Sequence, residues 1–501
     1  MPHPHRPPLA RILRSQFRRY AHVLLVLSWL ITGFSLAFTV PLVWSLADDL
    51  RQTDVWVHGF ALTFGAGMLL WLACRRHRAE LSVKDGFLLV NLVWTVLPAF
   101  AAVPLLEAIP GIRWTDAYFE AVSALTATGA TVIAGLDNLD PAANLWRCFL
   151  QLIGGLGIML LAVAVLPFLG LGGTQLFKAE MPGPMKDTRL TPRIAETARG
   201  LWSMYFLLSG ACLLAYRWGG MSWMDAFMHM CTTVGLGGFS SHDRSFAYWQ
   251  SPQLEWTAVV FMALAGISFA RYFMVWRLRS LRPLTQDAEV RAYLLVLVLA
   301  VLAVWLLLAL QGREGDLGDR LRMAAFQVVS VATTTGYYTS DYLLWPALGP
   351  ALLLFLGTFV SCAGSTGGGI KMVRMLVLVR LARHELVRAM HPRVVNPLTL
   401  GRAIVPQSVV WVIMAFMLIY GGCMVGLTLL LLASGLDMVT AFSAVIACLN
   451  NIGPGLGQVG PAGNYAVMTD FQTWILTFAM LLGRLELISV LVLFTPQFWR
   501  R

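Results

Sequence analysis

Thr126-Ala127-Thr128-Gly129 is the first of four similar peptides in this chain, and the other three are Thr232-Thr233-Val234-Gly235, Thr333-Thr334-Thr335-Gly336 and Asn450-Asn451-Ile452-Gly453. Each peptide follows a short helix-like stretch and lies between two long apolar segments. We predict the short helices at 115–127, 222–233, 319–333 and 437–449. Such helices are too short to cross a bilayer, which takes about 20 residues. The recurrence predicts an internal repeat.

The composition is that of a membrane protein. Of the 501 residues, 58% are hydrophobic and only 13% are charged, whereas about 25% of residues are charged in ordinary soluble proteins. The apolar runs therefore predict an all-α polytopic membrane protein. We predict membrane spans at 23–47, 55–74, 86–106, 144–170, 197–217, 252–279, 290–311, 346–383, 404–433 and 468–498.

The chain divides into two leading helices and four repeats of span, short helix, glycine-ending peptide and span. Non-helical backbone at membrane depth is tolerated only when it is buried in protein or lines a wet cavity. The four re-entrant peptides must therefore face one another. The predicted parts are an N-terminal two-helix unit at 1–85 and pore repeats at 86–196, 197–289, 290–403 and 404–501.

Positive charge is distributed unevenly along the chain. The net charge is +11, and most Lys and Arg residues fall before residue 23 and in every second predicted loop. Because such charge gathers on the cytoplasmic side, we predict that both termini are cytoplasmic. The basic excess then reflects orientation and contact with membrane lipid. No stripe mixes aromatic and basic residues, so nucleic acid is not a predicted partner.

The four peptides have the chemistry of a potassium filter. Glycine permits a positive φ, so the carbonyl groups beside it can point to one axis. A pore replaces the water shell of potassium with such carbonyl oxygens, and the C-terminal ends of the short helices favour a cation. We predict backbone ligands for potassium at Ala127, Thr128, Gly129, Thr233, Val234, Gly235, Thr334, Thr335, Gly336, Asn451, Ile452 and Gly453.

The four predicted filter peptides differ in sequence. Residues 233–237 read TVGLG, close to the TVGYG filter of potassium channels. Gly453 precedes a proline, and Asn450 and Asn451 stand where other copies have threonine. This heterogeneity predicts weaker discrimination against rubidium, caesium and sodium than a symmetric channel shows.

A glycine-rich stretch at 361–369 interrupts an apolar segment after the third peptide. Glycine weakens helices, so we predict a broken helix that acts as a movable plug. The alternative is a nucleotide-binding loop, but the stretch does not match G-x-x-x-x-G-K-[ST], because Ile370 separates Gly369 from Lys371 and no Ser or Thr follows Lys371. The predicted gating residues are Gly364, Ser365, Thr366, Gly367, Gly368, Gly369, Lys371 and Arg484.

Arg484 lies deep within the last predicted span, where a charge must face protein or water. It is predicted either to be a positive barrier in the conduction path or to hold the 361–369 stretch by hydrogen bonds. The structural alternative is a bridge to a carboxylate such as Glu120. His229 is predicted to pack or to form hydrogen bonds rather than to ligate a metal.

Other classes of function find little support in the sequence. No catalytic triad, paired-carboxylate site or metalloprotease motif is present, so we predict no enzymatic activity and no cofactor. A proton- or sodium-coupled symporter with the same fold is the alternative mechanism, and few acids lie in the spans to relay protons. An ion sensor with a closed pore is a third hypothesis. The linkers 171–196 and 380–403 are candidate docking surfaces for a soluble partner, or solvated connectors.

The chain resembles the bacterial TrkH/TrkG potassium-uptake proteins, whose superfamily includes KtrB and the fungal and plant Trk/HKT transporters. The resemblance covers nearly the whole chain. It is strongest in QLIGGLGI at 151–158, MPGPMKD at 181–187, CAGSTGGGIK at 362–371, NNIGPG at 450–455 and GRLE at 483–486.

This resemblance implies a multi-pass protein of the bacterial inner membrane, with two leading helices and four helix–pore loop–helix repeats around one pseudo-fourfold pore. It also implies a homodimer gated by a cytosolic nucleotide-binding ring similar to TrkA. Gly129 fits the family's potassium-preferring pattern. The family's gating loop corresponds to 361–369, and its last-span arginine corresponds to Arg484.

Overall fold

The computed structural model describes residues 9–47, 52–77, 79, 81–164, 190–311, 316–394, 397–401 and 403–500. Within these described residues, two short strands, β1 (Thr399–Leu400) and β2 (Ala403–Ile404), pair antiparallel. The remaining regular structure is helical, which confirms the predicted all-α class. The MPGPMKD motif at 181–187 and most of the linker 171–196 lie outside the described residues.

Twenty α-helices are described, numbered here in chain order. They are α1 (Leu9–Ser35), α2 (Thr39–Ala47), α3 (Thr53–Cys74), α4 (Val83–Ala108), α5 (Trp114–Leu125), α6 (Pro141–Ala164), α7 (Leu190–Trp218), α8 (Trp223–Val234), α9 (Pro252–Ala265), α10 (Phe269–Leu278), α11 (Arg282–Thr285), α12 (Ala288–Leu310), α13 (Leu317–Ala332), α14 (Leu348–Leu356), α15 (Met372–Met390), α16 (Gln407–Ala433), α17 (Met438–Leu449), α18 (Asp470–Arg484), α19 (Leu487–Leu491) and α20 (Pro496–Trp499).

The chain forms two compact units, and the smaller one contains residues 1–112 and 488–501. Its helix α4 begins with a capping box in which Ser82 and Asp85 satisfy each other's backbone N–H groups. Asp85 also lies 3.0 Å from His22 Nε2. The Asn91 side-chain amide donates to the carbonyl of Ser489 at 3.0 Å, which joins the returning chain end to α4.

The larger unit, residues 113–487, contains the four predicted short helices. They are confirmed as α5, α8, α13 and α17. Three begin with a side-chain oxygen that accepts a backbone N–H: Ser222 for α8, Asp316 for α13 and Asp437 for α17. Such N-caps satisfy donors that lack a helical partner, and carboxylates there complement the helix dipole. We call these four the pore helices.

The predicted spans are partly confirmed. Within the described residues, six helices are long and apolar enough to cross a membrane, or eight if each sharply bent pair is one span. The predicted span 252–279 bends by 83° between α9 and α10. The predicted span 346–383 is divided by the non-helical residues 357–371 between α14 and α15. The glycines in that stretch explain the interruption.

The predicted five-part division of the chain is a different description from these two compact units. It follows the sequence repeat, whereas the compact units follow the packing of the chain. The division at 86, 197, 290 and 404 stays a prediction.

Candidate functional site

The four pore helices end in the same backbone conformation. The second residue after each helix has a positive φ: Ala127 (50°), Leu236 (53°), Thr334 (63°) and Asn451 (54°). Two residues later comes a glycine with a positive φ: Gly129 (81°), Gly238 (75°), Gly336 (89°) and Gly453 (93°). Positive φ is costly for residues other than glycine. Its recurrence at the same position shows that the four peptides are structurally equivalent.

The second peptide differs in register from the sequence prediction. Thr233 and Val234 belong to the last turn of α8, and Gly235 caps that helix with an ordinary right-handed φ of −68°. The equivalent triplet is Leu236, Gly237 and Gly238, three residues further along. The backbone bonds agree, since Gly237 N donates to Thr232 O just as Thr128 N donates to Ser123 O. The similarity to TVGYG therefore placed this triplet one turn too early.

One signal in the sequence indicates the corrected register, and the helix lengths in the structure agree with it. Helices α5, α8 and α17 each have 12 residues, which places the second peptide at 236–238. The third triplet is followed by the aromatic residue Tyr337, and Gly238 is likewise followed by Phe239.

The four peptides close into a ring. Each glycine α-carbon faces a backbone carbonyl oxygen of the next peptide, and a Cβ added to the glycine would overlap that oxygen. The distances from the added Cβ to the oxygen are 2.1 Å for Gly129 and Gly237 O, 1.9 Å for Gly238 and Thr335 O, 2.3 Å for Gly336 and Ile452 O, and 2.7 Å for Gly453 and Thr128 O. The order is cyclic, from the first peptide to the fourth and back to the first. The predicted convergence of the four hairpins is therefore confirmed.

Side chains behind the ring brace individual peptides. The hydroxyl groups of Thr126 and Thr128 lie 2.6 Å apart, and those of Thr333 and Thr335 lie 2.8 Å apart. The Asn451 amide donates to Thr128 Oγ1 at 2.8 Å, which joins the fourth peptide to the first. The first and third peptides thus share a Thr-x-Thr brace.

The predicted plug lies against the C-terminal ends of three pore helices. Thr366 Oγ1 donates to Val234 O at 2.9 Å, and Gly368 N donates to Thr334 Oγ1 at 2.8 Å. A Cβ on Gly368 would lie 2.1 Å from Asn450 O. This stretch therefore reaches from the second repeat to the fourth, next to the ring.

Most of the other predicted gating residues shape the plug itself. Gly364 and Gly369 both have φ values of 78°, which favour glycine. Ser365 Oγ donates to Cys362 O at 2.7 Å, and Lys371 Nζ donates to Gly367 O. A Cβ on Gly367 would lie 2.3 Å from Ser361 Oγ and 3.0 Å from Thr333 O, so this glycine also permits close packing.

Glu289, which the sequence analysis did not single out, holds both ends of this stretch. Its Oε1 accepts hydrogen bonds from Ala363 N at 2.7 Å and Val373 N at 3.1 Å. One carboxylate thus fixes two points ten residues apart in the chain. An acid in the first turn of the apolar helix α12 is the only sequence signal for this role.

Arg484 contacts the plug directly. Its guanidinium group is buried, with 3% of the residue exposed. Nη1 donates to Thr366 O at 2.8 Å, and Nη2 donates to Gly154 O at 3.1 Å. These bonds have the geometry of the predicted hydrogen-bonding role. Glu120, the carboxylate considered as an alternative partner, pairs with Arg147 instead.

The Glu120–Arg147 pair is a buried network that spacing alone does not reveal. Both side chains are inaccessible to solvent, and Arg147 Nη2 lies 2.5 Å from Glu120 Oε1. Glu120 also accepts from Thr131 Oγ1 and Val132 N, each at 3.0 Å. Arg147 Nη1 donates to Asn144 Oδ1 at 2.7 Å. The network joins α5 to α6 and to the chain that leaves the first peptide.

Changing Arg147 to methionine is expected to destabilise the protein by about 3–5 kcal/mol, because it leaves the buried charge of Glu120 unpaired. The double variant Arg147→Met/Glu120→Gln should recover part of that loss. Thermal unfolding of the detergent-purified protein measures both effects. Arg113→Ala is the control, since Arg113 pairs with Asp116 and Asp470 at a half-exposed site. An unchanged melting temperature for Arg147→Met would contradict the assignment.

His229 forms two hydrogen bonds in α8. Its Nδ1 lies 2.8 Å from Asp225 O, and its Nε2 lies 3.1 Å from Ser240 Oγ. Both ring nitrogens therefore have protein partners, as expected for a histidine that orders the loop after the second peptide.

Comparison with known proteins identifies the family. A family model described as "TrkH: Cation transport protein" matches residues 52–501. The chain belongs to the TrkH family. Members of the TrkH family are transporters, so this chain is a transporter and not an enzyme. Its several apolar helices are consistent with a multi-pass membrane protein.

Individual TrkH-family proteins match nearly end to end. The Trk system potassium uptake protein TrkH of Vibrio parahaemolyticus is 42% identical over 489 residues, covering 96% of this chain and all of that protein. The Trk system potassium uptake protein TrkG of Escherichia coli K12 is 37% identical over 487 residues, covering 97% of this chain and 99% of that protein. The crystal structure of the Vibrio parahaemolyticus potassium transporter TrkH superposes with a TM-score of 0.88 at 40% identity, covering 96% of this chain and 100% of that one.

Proposed function

We propose that this protein takes up potassium across the bacterial inner membrane through the ring of four peptides. The observation that supports this best is the cyclic contact of the four glycines with the carbonyl groups of the next peptide. The relatives described above are named potassium uptake proteins. In this proposal the filter consists of Ala127–Gly129, Leu236–Gly238, Thr334–Gly336 and Asn451–Gly453, while Thr233, Val234 and Gly235 end the second pore helix.

The chemistry of this ring suits a bare monovalent cation. Backbone carbonyl oxygens replace the hydration shell of potassium without adding a full negative charge. The four pore helices end at the ring, so the negative ends of their dipoles lie close to the ion. No resident cofactor takes part, and potassium is the transported substrate.

Residues 361–369 gate this pathway in our proposal. They contact the ends of three pore helices, and Arg484 holds them through Thr366. A cytosolic nucleotide-binding ring similar to TrkA would move them, and two copies of this chain would form a homodimer with both termini in the cytoplasm. The names of the relatives include the words "Trk system", which supports a multi-component assembly.

The proposal is tested by potassium and rubidium flux into liposomes that contain the purified protein. Gly336→Ser is expected to lower both fluxes by about a hundredfold, because its Cβ would overlap Ile452 O at 2.3 Å and its φ is left-handed. Gly435→Ser is the matched control, since Gly435 also has a positive φ, but an added Cβ there would meet no atom of the described residues within 4 Å. Equal flux through wild type and Gly336→Ser would reject the filter.

The same liposomes separate a pore from a coupled symporter. A pore gives a flux that reverses with the potassium gradient alone, whatever pH or sodium gradient is applied. A flux driven against the potassium gradient by a pH or sodium step would show coupling.

A further inference from the structure

The second filter peptide lacks the brace found in the first and third. In those two peptides, a pair of threonine hydroxyl groups links the helix cap to the middle filter residue. The equivalent positions in the second peptide are Gly235 and Gly237, which have no side chains. Leu236 and Gly237 are nevertheless buried, and the peptide has the same backbone conformation as the other three. A different group must therefore support it.

Gln151 occupies the space that these two glycines leave. It lies on α6, in the preceding repeat, and is completely buried. A Cβ on Gly237 would lie 2.3 Å from Gln151 Cδ, and a Cβ on Gly235 would lie 2.8 Å from Gln151 O. Gly235 and Gly237 thus admit a neighbouring helix, which accounts for the two glycines of the TVGLG sequence.

The Gln151 amide makes two hydrogen bonds to the second peptide. Its Nε2 donates to Gly237 O at 2.8 Å, and its Oε1 accepts from Phe239 N at 3.3 Å. Gly237 O is also the carbonyl that faces Gly129 of the neighbouring first peptide. One side chain therefore holds the carbonyl of the middle filter residue and the amide that follows the filter glycine.

We propose that Gln151 is a positioning residue that sets the ion selectivity of the second filter peptide. This inference rests on the proposed potassium filter. A sodium ion is smaller than potassium, so carbonyl oxygens must move inward to bind it well. The hydrogen bond from the Gln151 amide to Gly237 O resists that movement. Without the amide the peptide can relax around the smaller ion, and discrimination falls.

The first test replaces Gln151 with leucine, which has a similar volume and no hydrogen-bonding group. The potassium-to-sodium permeability ratio, taken from reversal potentials in liposomes, is expected to fall about tenfold, the effect of one net hydrogen bond. Gln472→Leu is the matched control. Gln472 is also a buried glutamine, and its amide bonds to Ser434, which lies outside the filter peptides.

The second test moves the brace from the neighbouring helix into the peptide itself. Gly237→Thr alone should impair transport, because its side chain would overlap the Gln151 amide. Gly237 does not have a left-handed φ, so threonine fits the backbone once that amide is removed. Gln151→Ala is expected to lower the logarithm of the potassium-to-sodium permeability ratio. The double variant Gln151→Ala/Gly237→Thr should recover at least about half of that decrease.

The outcomes separate this inference from the proposed function. A wild-type permeability ratio in folded Gln151→Leu and Gln151→Ala proteins would overturn the role of Gln151, even if Gly336→Ser abolishes flux. Full flux through Gly336→Ser would instead reject the filter. If Gln151→Leu does not fold, Gln151→Ala and the double variant decide the question. No recovery in a folded double variant would count against positioning of Gly237.

Discussion

Serine at position 238 is expected to lower potassium flux by about a hundredfold, the equivalent of about 2.8 kcal/mol. Gly238 has a φ of 75°, a conformation that costs about 1–3 kcal/mol for other residues. An added Cβ would also lie 1.9 Å from Thr335 O and 2.9 Å from Thr335 C. Both are backbone atoms of the next peptide, so the overlap can be relieved only by opening the ring. Rubidium uptake into liposomes measures the loss.

A second glycine separates the ring contact from the backbone conformation. Gly135 has a φ of 77°, but within the part of the chain that the structure describes, an added Cβ there would have no neighbour within 4 Å. Gly135→Ser therefore carries the cost of positive φ without the overlap, and we expect its flux to stay within about threefold of wild type. Similar losses in both variants would show that backbone strain alone explains the effect. Wild-type flux through Gly238→Ser would show that the second peptide does not belong to the ring.

The four-repeat architecture was predictable because it depends on local features. Apolar run length separates spans from half-spans, and a glycine-ending peptide marks where each short helix stops. The predicted 115–127 and 437–449 match α5 and α17 to within two residues. Non-helical backbone inside a membrane must be buried in protein or line a wet cavity. Four such peptides in one chain therefore predict that the peptides face one another, which a single copy would not.

The register of the second peptide was not predicted because sequence similarity and helix length conflict there. TVGLG resembles a potassium filter, but its first two residues complete α8, a 12-residue helix equal in length to those that precede the first and fourth peptides. The glycines at 235 and 237 serve packing against Gln151 rather than positive φ. A glycine permits either close packing or a positive φ, and the sequence alone does not show which of the two a given glycine serves.

The supports around the ring were not predictable because they join residues far apart in the chain. Glu289 bonds to the backbone of residues 363 and 373, and Gln151 bonds to that of residues 237 and 239. Neither pair has a characteristic spacing. Arg484 was recognised because a charge in an apolar span is conspicuous, but its carbonyl partners follow only from the fold.

Alanine at position 484 is expected to raise potassium flux about tenfold. Arg484 donates to Thr366 O at 2.8 Å and Gly154 O at 3.1 Å, so it ties the plug to α6. Hydrogen bonds to charged groups contribute about 1.5–3 kcal/mol, and a tenfold change in flux corresponds to about 1.4 kcal/mol. Rubidium uptake by liposomes without any cytosolic partner measures how often the path is open. Unchanged uptake by a folded Arg484→Ala protein would contradict this role.

Glutamine and lysine at the same position distinguish a tether from an electrostatic barrier. Glutamine removes the charge but keeps an amide that can donate to Thr366 O, whereas lysine keeps the charge with different geometry. A barrier predicts that Arg484→Gln conducts as well as Arg484→Ala and that Arg484→Lys matches wild type. A tether predicts that Arg484→Gln conducts less than Arg484→Ala, because part of the plug's attachment remains. The two carbonyl contacts favour the tether, so we expect flux to rise in the order wild type, glutamine, alanine.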